Sequence, residues 1–257
     1  MKIFAPEGMY PPAGMFTPQH LISLFICLVI IVLAVHFSKN ISYNTLRKIT
    51  FYISIFTTVC EIIKIAYKFI VCHYAFLDFD RWVPLYFCSI FIFATWMSLA
   101  KSEFIRKLGI SFICCGCITG GLAFLIFPTT SLQMVPIWHF LSIHSMLFHT
   151  LMVYLGFMYI YKGFFEKGIF KYYSICFGIF LVPSIILNIF FNCNMMLIRE
   201  PFNMPFKFIN NIFNLVPWLY PFLAIAVYLF IPYGISYFTN YILNRIKPQR
   251  VLIEHNA

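Results

Sequence analysis

Long runs of apolar residues recur along the whole chain, and short clusters of proline, asparagine and charged residues separate them. Each run is about 18 residues or longer, which is long enough for an α-helix to cross the hydrocarbon core of a bilayer. The pattern predicts seven transmembrane helices, with approximate bounds His20–Phe37, Ile49–Val71, Trp82–Ala100, Leu108–Phe127, Val135–Tyr161, Phe170–Asn192 and Val216–Phe238. The predicted fold class is therefore all-α, a polytopic transmembrane helix bundle that forms a single integral membrane domain over residues 1–257.

The charges predict how this bundle is oriented. Of the 257 residues, 62% are hydrophobic and only 10% are charged, whereas soluble domains carry about 25% charged residues. The loops 38–48, 101–107 and 162–171 and the tail 239–257 hold three Lys or Arg each, twelve in total, against four on the other side. The positive-inside rule then puts the N-terminus outside and the C-terminus in the cytoplasm of a cell membrane. These topology signals account for the net charge of +10, so nucleic acid is not an expected partner.

The second predicted span carries three charged residues, Glu61, Lys64 and Lys68. Their spacing of +3 and +4 puts them on one face of a helix, where the carboxylate can pair with either lysine. Charged groups inside a membrane are expensive, and they usually face the interior of the bundle or a wet cavity.

The segment "PIWHFLSIHSMLFHT" puts three of the seven histidines, His139, His144 and His149, into the fifth predicted span. On a helical wheel His139 and His149 share a polar stripe, whereas His144 lies about 100° from its neighbour Ser145. A membrane histidine is often a hydrogen-bonding residue between helices, so the wheel alone does not make any of the three functional.

Polar residues from four predicted spans or their ends agree in depth. Given the predicted topology, they all fall in the outer half of the membrane: Glu61, Cys88, His139, His144, Asn188 and Asn194. This agreement predicts a polar pocket that opens to the outer leaflet. Cys114, Cys115 and Cys117 lack the spacing of a zinc site, so neither a metal nor another cofactor is expected.

Short motifs in this order carry a family resemblance: "FTPQHL" at 16–21, "CEIIK" at 60–64, "VPLYFC" at 83–88, "GG" at 120–121, "SIHSM" at 142–146, "NCNMML" at 192–197 and "PW" at 217–218. With them the chain resembles small bacterial integral membrane proteins of the YwaF type, which are related to eukaryotic transmembrane protein 164. The resemblance implies an acyltransferase that acts on membrane lipids through a Cys/His pair, with an acyl donor and an acceptor lipid as partners.

The resemblance implies catalytic roles for His144 as the base and Cys88 as the nucleophile. It also places the family's acidic residue at Glu61 and its asparagines at Asn188 and Asn194. The "VPLYFC" segment departs from the family pattern, which has histidine at the position of Tyr86 and, in the eukaryotic branch, the cysteine near Leu85. Two routes therefore stay open: attack by the Cys88 thiolate, or direct activation of an acceptor hydroxyl by His144.

The residues expected to contact substrate are Glu61, Lys64, Tyr86, His139, Asn188 and Asn194. Lysines on the second span would hold the lipid phosphate, and the asparagines would donate hydrogen bonds to the oxyanion. Two other classes stay open, a small-molecule transporter and a lipid-binding or sensor protein without catalysis. The sequence does not fix the donor, the acceptor, the chain preference or the oligomeric state.

Overall fold

The computed structural model describes residues 2–202 and 206–246, and these residues contain helices and no strands. The α-helices are α1 (Pro18–Ser38), α2 (Tyr43–Ile70), α3 (Phe79–Trp82), α4 (Ile90–Ser98), α5 (Glu103–Ile126), α6 (Phe140–Tyr161), α7 (Ile169–Phe190), α8 (Lys207–Leu215) and α9 (Tyr220–Ile246). Six of them, α1, α2, α5, α6, α7 and α9, are long and apolar enough to cross a membrane. The all-helical, multi-pass membrane class is thereby confirmed. Lys247 and Arg250, part of the predicted cytoplasmic tail, lie outside the described residues.

The third predicted span, Trp82–Ala100, differs most from the structure, which has the shorter apolar helical segment Phe87–Ser98 in its place. The helix α3 ends at Trp82 within this predicted span, and Val83, which precedes Pro84, is extended with φ −73° and ψ 126°. A proline disfavours helical geometry in the residue before it, and this explains the break. The chain returns to a helix through a 3₁₀ turn at Phe87–Ser89.

Side chains cap the starts of the long helices. The Thr17 hydroxyl accepts a hydrogen bond from the backbone N–H of His20, with Pro18 in the first turn of α1. Ser42 caps α2 in the same way by accepting from Thr45 N–H. His139 caps α6, which begins at Phe140 rather than at the predicted Val135.

The helices α5 and α6 form the central pair, and α5 also packs against α4, α7 and α9. Glycines allow the closest approaches. A Cβ built on Gly109 would lie 2.3 Å from the backbone nitrogen of Ser98 in α4, and one on Gly121 would lie 2.9 Å from the carbonyl oxygen of His149 in α6. Small residues at such positions let membrane helices pack backbone to backbone.

The bundle has two ends. The end with residues 2–17 and the starts of α1, α6 and α9 is called the N-terminal side. The end with the starts of α2, α5 and α7 is called the C-terminal side.

Candidate functional site

The first residues of the chain are bonded to the N-terminal side of the bundle. The carbonyl oxygen of Ala5 accepts hydrogen bonds from the Tyr67 hydroxyl at 2.7 Å and from Nε2 of His139 at 2.9 Å. Further along, Gly14 N–H donates to the Leu132 carbonyl at 2.7 Å. These bonds fasten the N-terminal segment to α2, to the loop before α6 and to the start of α6 itself.

A buried ion pair adds to this attachment. The ammonium of Lys68 in α2 pairs with the carboxylate of Glu7, whose second oxygen accepts a hydrogen bond from the Tyr74 hydroxyl at 2.7 Å. The Lys68 and Glu7 side chains are only 10% and 9% exposed. Burial and the bond to Glu7 raise the pKa of Tyr74, in the loop after α2, well above its ordinary value. Lys68 thus pairs with a residue that the sequence analysis did not consider, and not with Glu61.

Glu61 instead pairs with Lys64, one turn further along α2, at 2.7 Å. This i, i+3 pair was one of the two that the spacing predicted. The Glu61 side chain is 8% exposed and that of Lys64 is 24% exposed. The helix α2, which carries Glu61 and Lys64, packs against α6, which carries His144 and His149. These four residues, Glu61, Lys64, His144 and His149, are here called the polar cluster.

Within the polar cluster, His144 has the least satisfied side chain. Both of its ring nitrogens are buried and have no hydrogen-bond partner among the described residues. The ring lies between Phe140 and Phe148, with centroid distances of 5.8 Å to each. His144 follows the start of α6 by four residues, about 6 Å along the helix axis. Buried polar groups are normally bonded, so an imidazole without partners is a candidate for binding an exchangeable proton of a substrate.

His149 is more firmly held than His144. Its Nδ1 donates a hydrogen bond to the Ser145 carbonyl at 2.6 Å, while Nε2 is buried without a partner among the described residues. The ring stacks on Phe124 of α5 with centroids 3.7 Å apart and planes at 7°. His149 therefore packs α6 onto α5, as expected for a mainly structural histidine.

His139 has no free nitrogen. Its Nδ1 accepts from Leu141 N–H at 3.1 Å, so Nε2 must carry the proton that is donated to Ala5. The residue is 1% exposed. As the cap of α6 it precedes the helix, and the predicted stripe from His139 to His149 therefore does not exist as one helical face. His139 was predicted to contact substrate, but both of its ring nitrogens are bonded beneath the N-terminal segment, so neither is free for that contact.

The predicted catalytic cysteine, Cys88, lies in the 3₁₀ turn before α4. Its thiol points at the Gly120 carbonyl of α5, with a sulfur–oxygen distance of 3.7 Å. Its electrostatic neighbours are Cys117 and Tyr228. No hydrogen bond joins Cys88 to a histidine within the described residues, so the structure does not show a bonded Cys88–His144 pair.

The other predicted substrate residues hold backbone in place. The Tyr86 hydroxyl donates to the Asp80 carbonyl at 2.9 Å. The Asn188 side chain accepts from Met195 N–H at 2.6 Å and donates to its carbonyl at 3.1 Å. Asn194 accepts from the backbone N–H groups of Arg199 and Glu200 and donates to the Glu200 carbonyl. Both asparagines thus shape the loop that follows α7.

Two grooves run along the sides of α2, and neither contains the polar cluster. One, of about 400 Å³, lies between α2 and α6 and is lined by Ile49, Tyr52, Ile53, Phe56, Leu147 and Leu151. Leu147 follows His144 by three residues, so the groove begins one helical turn from the polar cluster. The other groove, of about 600 Å³, lies between α2 and α4 towards the C-terminal side.

Six apolar helices of membrane length among the described residues define a multi-pass integral membrane protein. The chain belongs to the TMEM164 family, whose model matches residues 15–237. The predicted relation to transmembrane protein 164 is thereby confirmed, whereas placement in the YwaF branch stays a prediction. No curated protein and no solved structure matches the chain.

Proposed function

We propose that this protein is a membrane acyltransferase that transfers an acyl chain between membrane lipids, with His144 as the proton-transfer residue. The observation that carries the proposal is the pair of buried ring nitrogens of His144, which have no hydrogen-bond partner among the described residues. The resemblance to lipid acyltransferases supports the reaction class.

The groove between α2 and α6 suits an acyl chain of the donor phospholipid. Its six lining residues are apolar or aromatic, and Leu147, at one end of the groove, lies one helical turn from His144 on α6. The 22 residues of α6 extend about 33 Å, close to the thickness of a hydrocarbon core of about 30 Å. His144 therefore sits near the depth where the chain of a lipid ends at its ester carbonyl, with Lys64 placed to attract the phosphate.

The chemistry that we propose is a direct transfer. His144 accepts the proton of an acceptor hydroxyl, whose oxygen attacks the ester carbonyl of the donor. The tetrahedral oxyanion forms near the Lys64 ammonium, which stabilises its charge. The carbonyl then re-forms, the bond to the donor glycerol oxygen breaks, and that oxygen takes the proton from His144. We prefer this route to a Cys88 thioester because the Cys88 thiol points at Gly120 and has no bonded base.

The proposal includes a topology with seven crossings, the N-terminus outside and the site in the outer leaflet of the cell membrane. The segment Phe87–Ser98 extends about 18 Å, and the non-helical residues 83–86 before it, of which Val83 and Tyr86 are extended, lengthen it towards one crossing. Extended backbone at this depth is tolerated when protein surrounds it. Here the Tyr86 hydroxyl donates a hydrogen bond to the Asp80 carbonyl, and the Ser184 hydroxyl of α7 donates one to the Leu85 carbonyl. Both bonds satisfy backbone carbonyls within the protein.

The test is acyl transfer by the purified protein in vesicles that contain a deuterated donor phospholipid and an unlabelled lysophospholipid, followed by mass spectrometry. We expect His144→Ala to lower turnover roughly 10²–10⁴-fold without lowering the thermal stability, because the substitution removes two buried nitrogens that have no partner among the described residues. Cys88→Ser should retain activity, as should Cys176→Ser, a matched control for a buried thiol elsewhere in the bundle.

Loss of activity in Cys88→Ser alone would show the thioester route instead. An active His144→Ala protein would contradict the assignment of the base. Lipid binding without any transfer by the wild type would overturn the proposal in favour of a lipid-binding protein.

A further inference from the structure

The groove between α2 and α4 differs in character from the one beside the polar cluster. It has a volume of about 600 Å³ and lies at the C-terminal side, near the start of α2 and the end of α4. Its lining combines two cations with three aromatic rings: Arg47, Lys48, Phe51, Tyr52, Trp96, Leu99 and Ala100. The volume falls within the range of about 300–1,000 Å³ that is usual for ligand sites.

The two cations of this groove have no acidic partner among the described residues. The Arg47 guanidinium donates one hydrogen bond to the Leu99 carbonyl at 3.3 Å and lies 5.9 Å from the centre of the Tyr43 ring. It has five N–H donors in all, so most of them stay available to a ligand. Lys48 is exposed and makes no ion pair within the described part of the chain. The groove therefore presents a net positive charge.

Aromatic side chains line the membrane-facing part of the groove. The rings of Phe51 and Trp96 meet edge to face, with centroids 5.9 Å apart at 90°. The indole N–H of Trp96 donates to the Thr58 hydroxyl at 2.9 Å, and this bond fixes the ring. Tyr52 is 68% exposed, and its hydroxyl has no partner among the described residues. Tryptophan and tyrosine are typical of the interface between water and lipid.

We propose that this groove binds the headgroup of an anionic phospholipid from the leaflet on the C-terminal side. The phosphate would accept hydrogen bonds from Arg47 and Lys48, and the acyl chains would lie along Phe51 and Trp96. Basic pockets between transmembrane helices bind anionic headgroups on the cytoplasmic side of membranes. The apolar rings favour a whole lipid over a free phosphate, since an inorganic ion gains nothing from them. This site does not depend on the proposed acyl chemistry.

The experiment is native mass spectrometry of the purified protein in detergent, titrated with phosphatidylglycerol or with phosphatidylcholine of identical chains. We expect the anionic lipid to bind at least tenfold more tightly. Lys48→Gln should lower its affinity about fivefold without affecting the fold, because the Lys48 side chain is exposed. Arg47→Gln should lower the affinity further, and the double variant should show little preference between the two lipids. Lys167→Gln/Lys171→Gln, two exposed lysines at the same end, is the control with the same change of charge and should retain the preference.

Equal affinity of the wild type for the two lipids would overturn the proposal. An equal loss in the control variant would do the same, because it would show diffuse attraction by the surface charge. If millimolar inorganic phosphate displaces the lipid at constant ionic strength, the groove recognises the ion rather than the lipid. Retention of the preference in Lys48→Gln and in Arg47→Gln would place the lipid elsewhere.

Discussion

Substituting Gly121 by alanine tests whether the close packing of α5 on α6 holds the polar cluster together. A Cβ at this position would lie 2.5 Å from Cγ2 of Val153 and 2.9 Å from the carbonyl oxygen of His149. The valine side chain is stiff, and the carbonyl belongs to the α6 backbone, so α6 must move away from α5. The movement falls at His149, whose ring stacks on Phe124 at 3.7 Å.

Two opposing effects set the size of the change. Overpacking of this kind destabilises by about 1–3 kcal/mol, and occasionally by more. Alanine gains up to about 1 kcal/mol over glycine from helix propensity, which reduces the loss. Gly178 in α7 is the matched control, because its Cβ would meet nothing within 4 Å. Gly178→Ala should therefore keep the propensity gain without the clash, and the two variants should differ by the overpacking cost alone, about 1–3 kcal/mol.

The assay is thermal unfolding of both variants in the same detergent, followed by acyl transfer in vesicles. A difference of about 1–3 kcal/mol corresponds to roughly 2–12 °C in Tm for a chain of this size. We expect Gly121→Ala to melt lower than the wild type and to lose activity, and Gly178→Ala to melt at the same temperature or higher. Equal melting temperatures for the two variants would refute the packing argument. Normal activity in a destabilised Gly121→Ala protein would show that the packing of α5 on α6 at this position does not control the polar cluster.

Two further predictions concern the N-terminal segment and the topology. Glu7→Ala should destabilise the protein by about 2–4 kcal/mol because it leaves the buried Lys68 charge unpaired. The double variant Glu7→Ala/Lys68→Met should recover most of that loss in thermal melting. If it recovers none, the ion pair is not what stabilises this region. A reporter that is active only in the cytoplasm should work when fused after Ala257 and fail when fused before Met1, and the same result at both ends would contradict an odd number of crossings.

The sequence predicts the features of the fold that depend on local pattern. Each of the six long helices in the described residues overlaps a predicted apolar run, because hydropathy and helical length are properties of consecutive residues. The bounds differ most where a helix continues past its apolar run: α2 and α5 begin five or six residues earlier than predicted, and α9 ends eight residues later. The Glu61–Lys64 pair is likewise local, since residues three apart on a helix are neighbours. The break at Val83 is also local in origin, because Pro84 follows it and a proline disfavours helical geometry in the preceding residue.

Contacts between distant residues were missed because no periodicity encodes them. Lys68 and Glu7 are 61 positions apart, and His139 and Ala5 are 134 apart. Glu7 lies in a proline-containing segment outside every predicted span, so the helical pattern gave it no partner. The wheel also misplaced His139, because a wheel applies only inside a helix and α6 begins one residue later.

The three histidines in the stretch before and within α6 differ in how many ring nitrogens the protein satisfies. His139 has both bonded, His149 has one, and His144 has neither within the described residues. Leaving a buried polar group without a partner destabilises a fold by about 1–3 kcal/mol. A ligand that hydrogen-bonds to a ring nitrogen without a partner removes this penalty. At His139 the ligand would first have to break an existing hydrogen bond. The lack of partners at both ring nitrogens makes His144 unfavourable for stability. For the same reason, His144 is the most favourable of the three histidines for binding and moving a substrate proton.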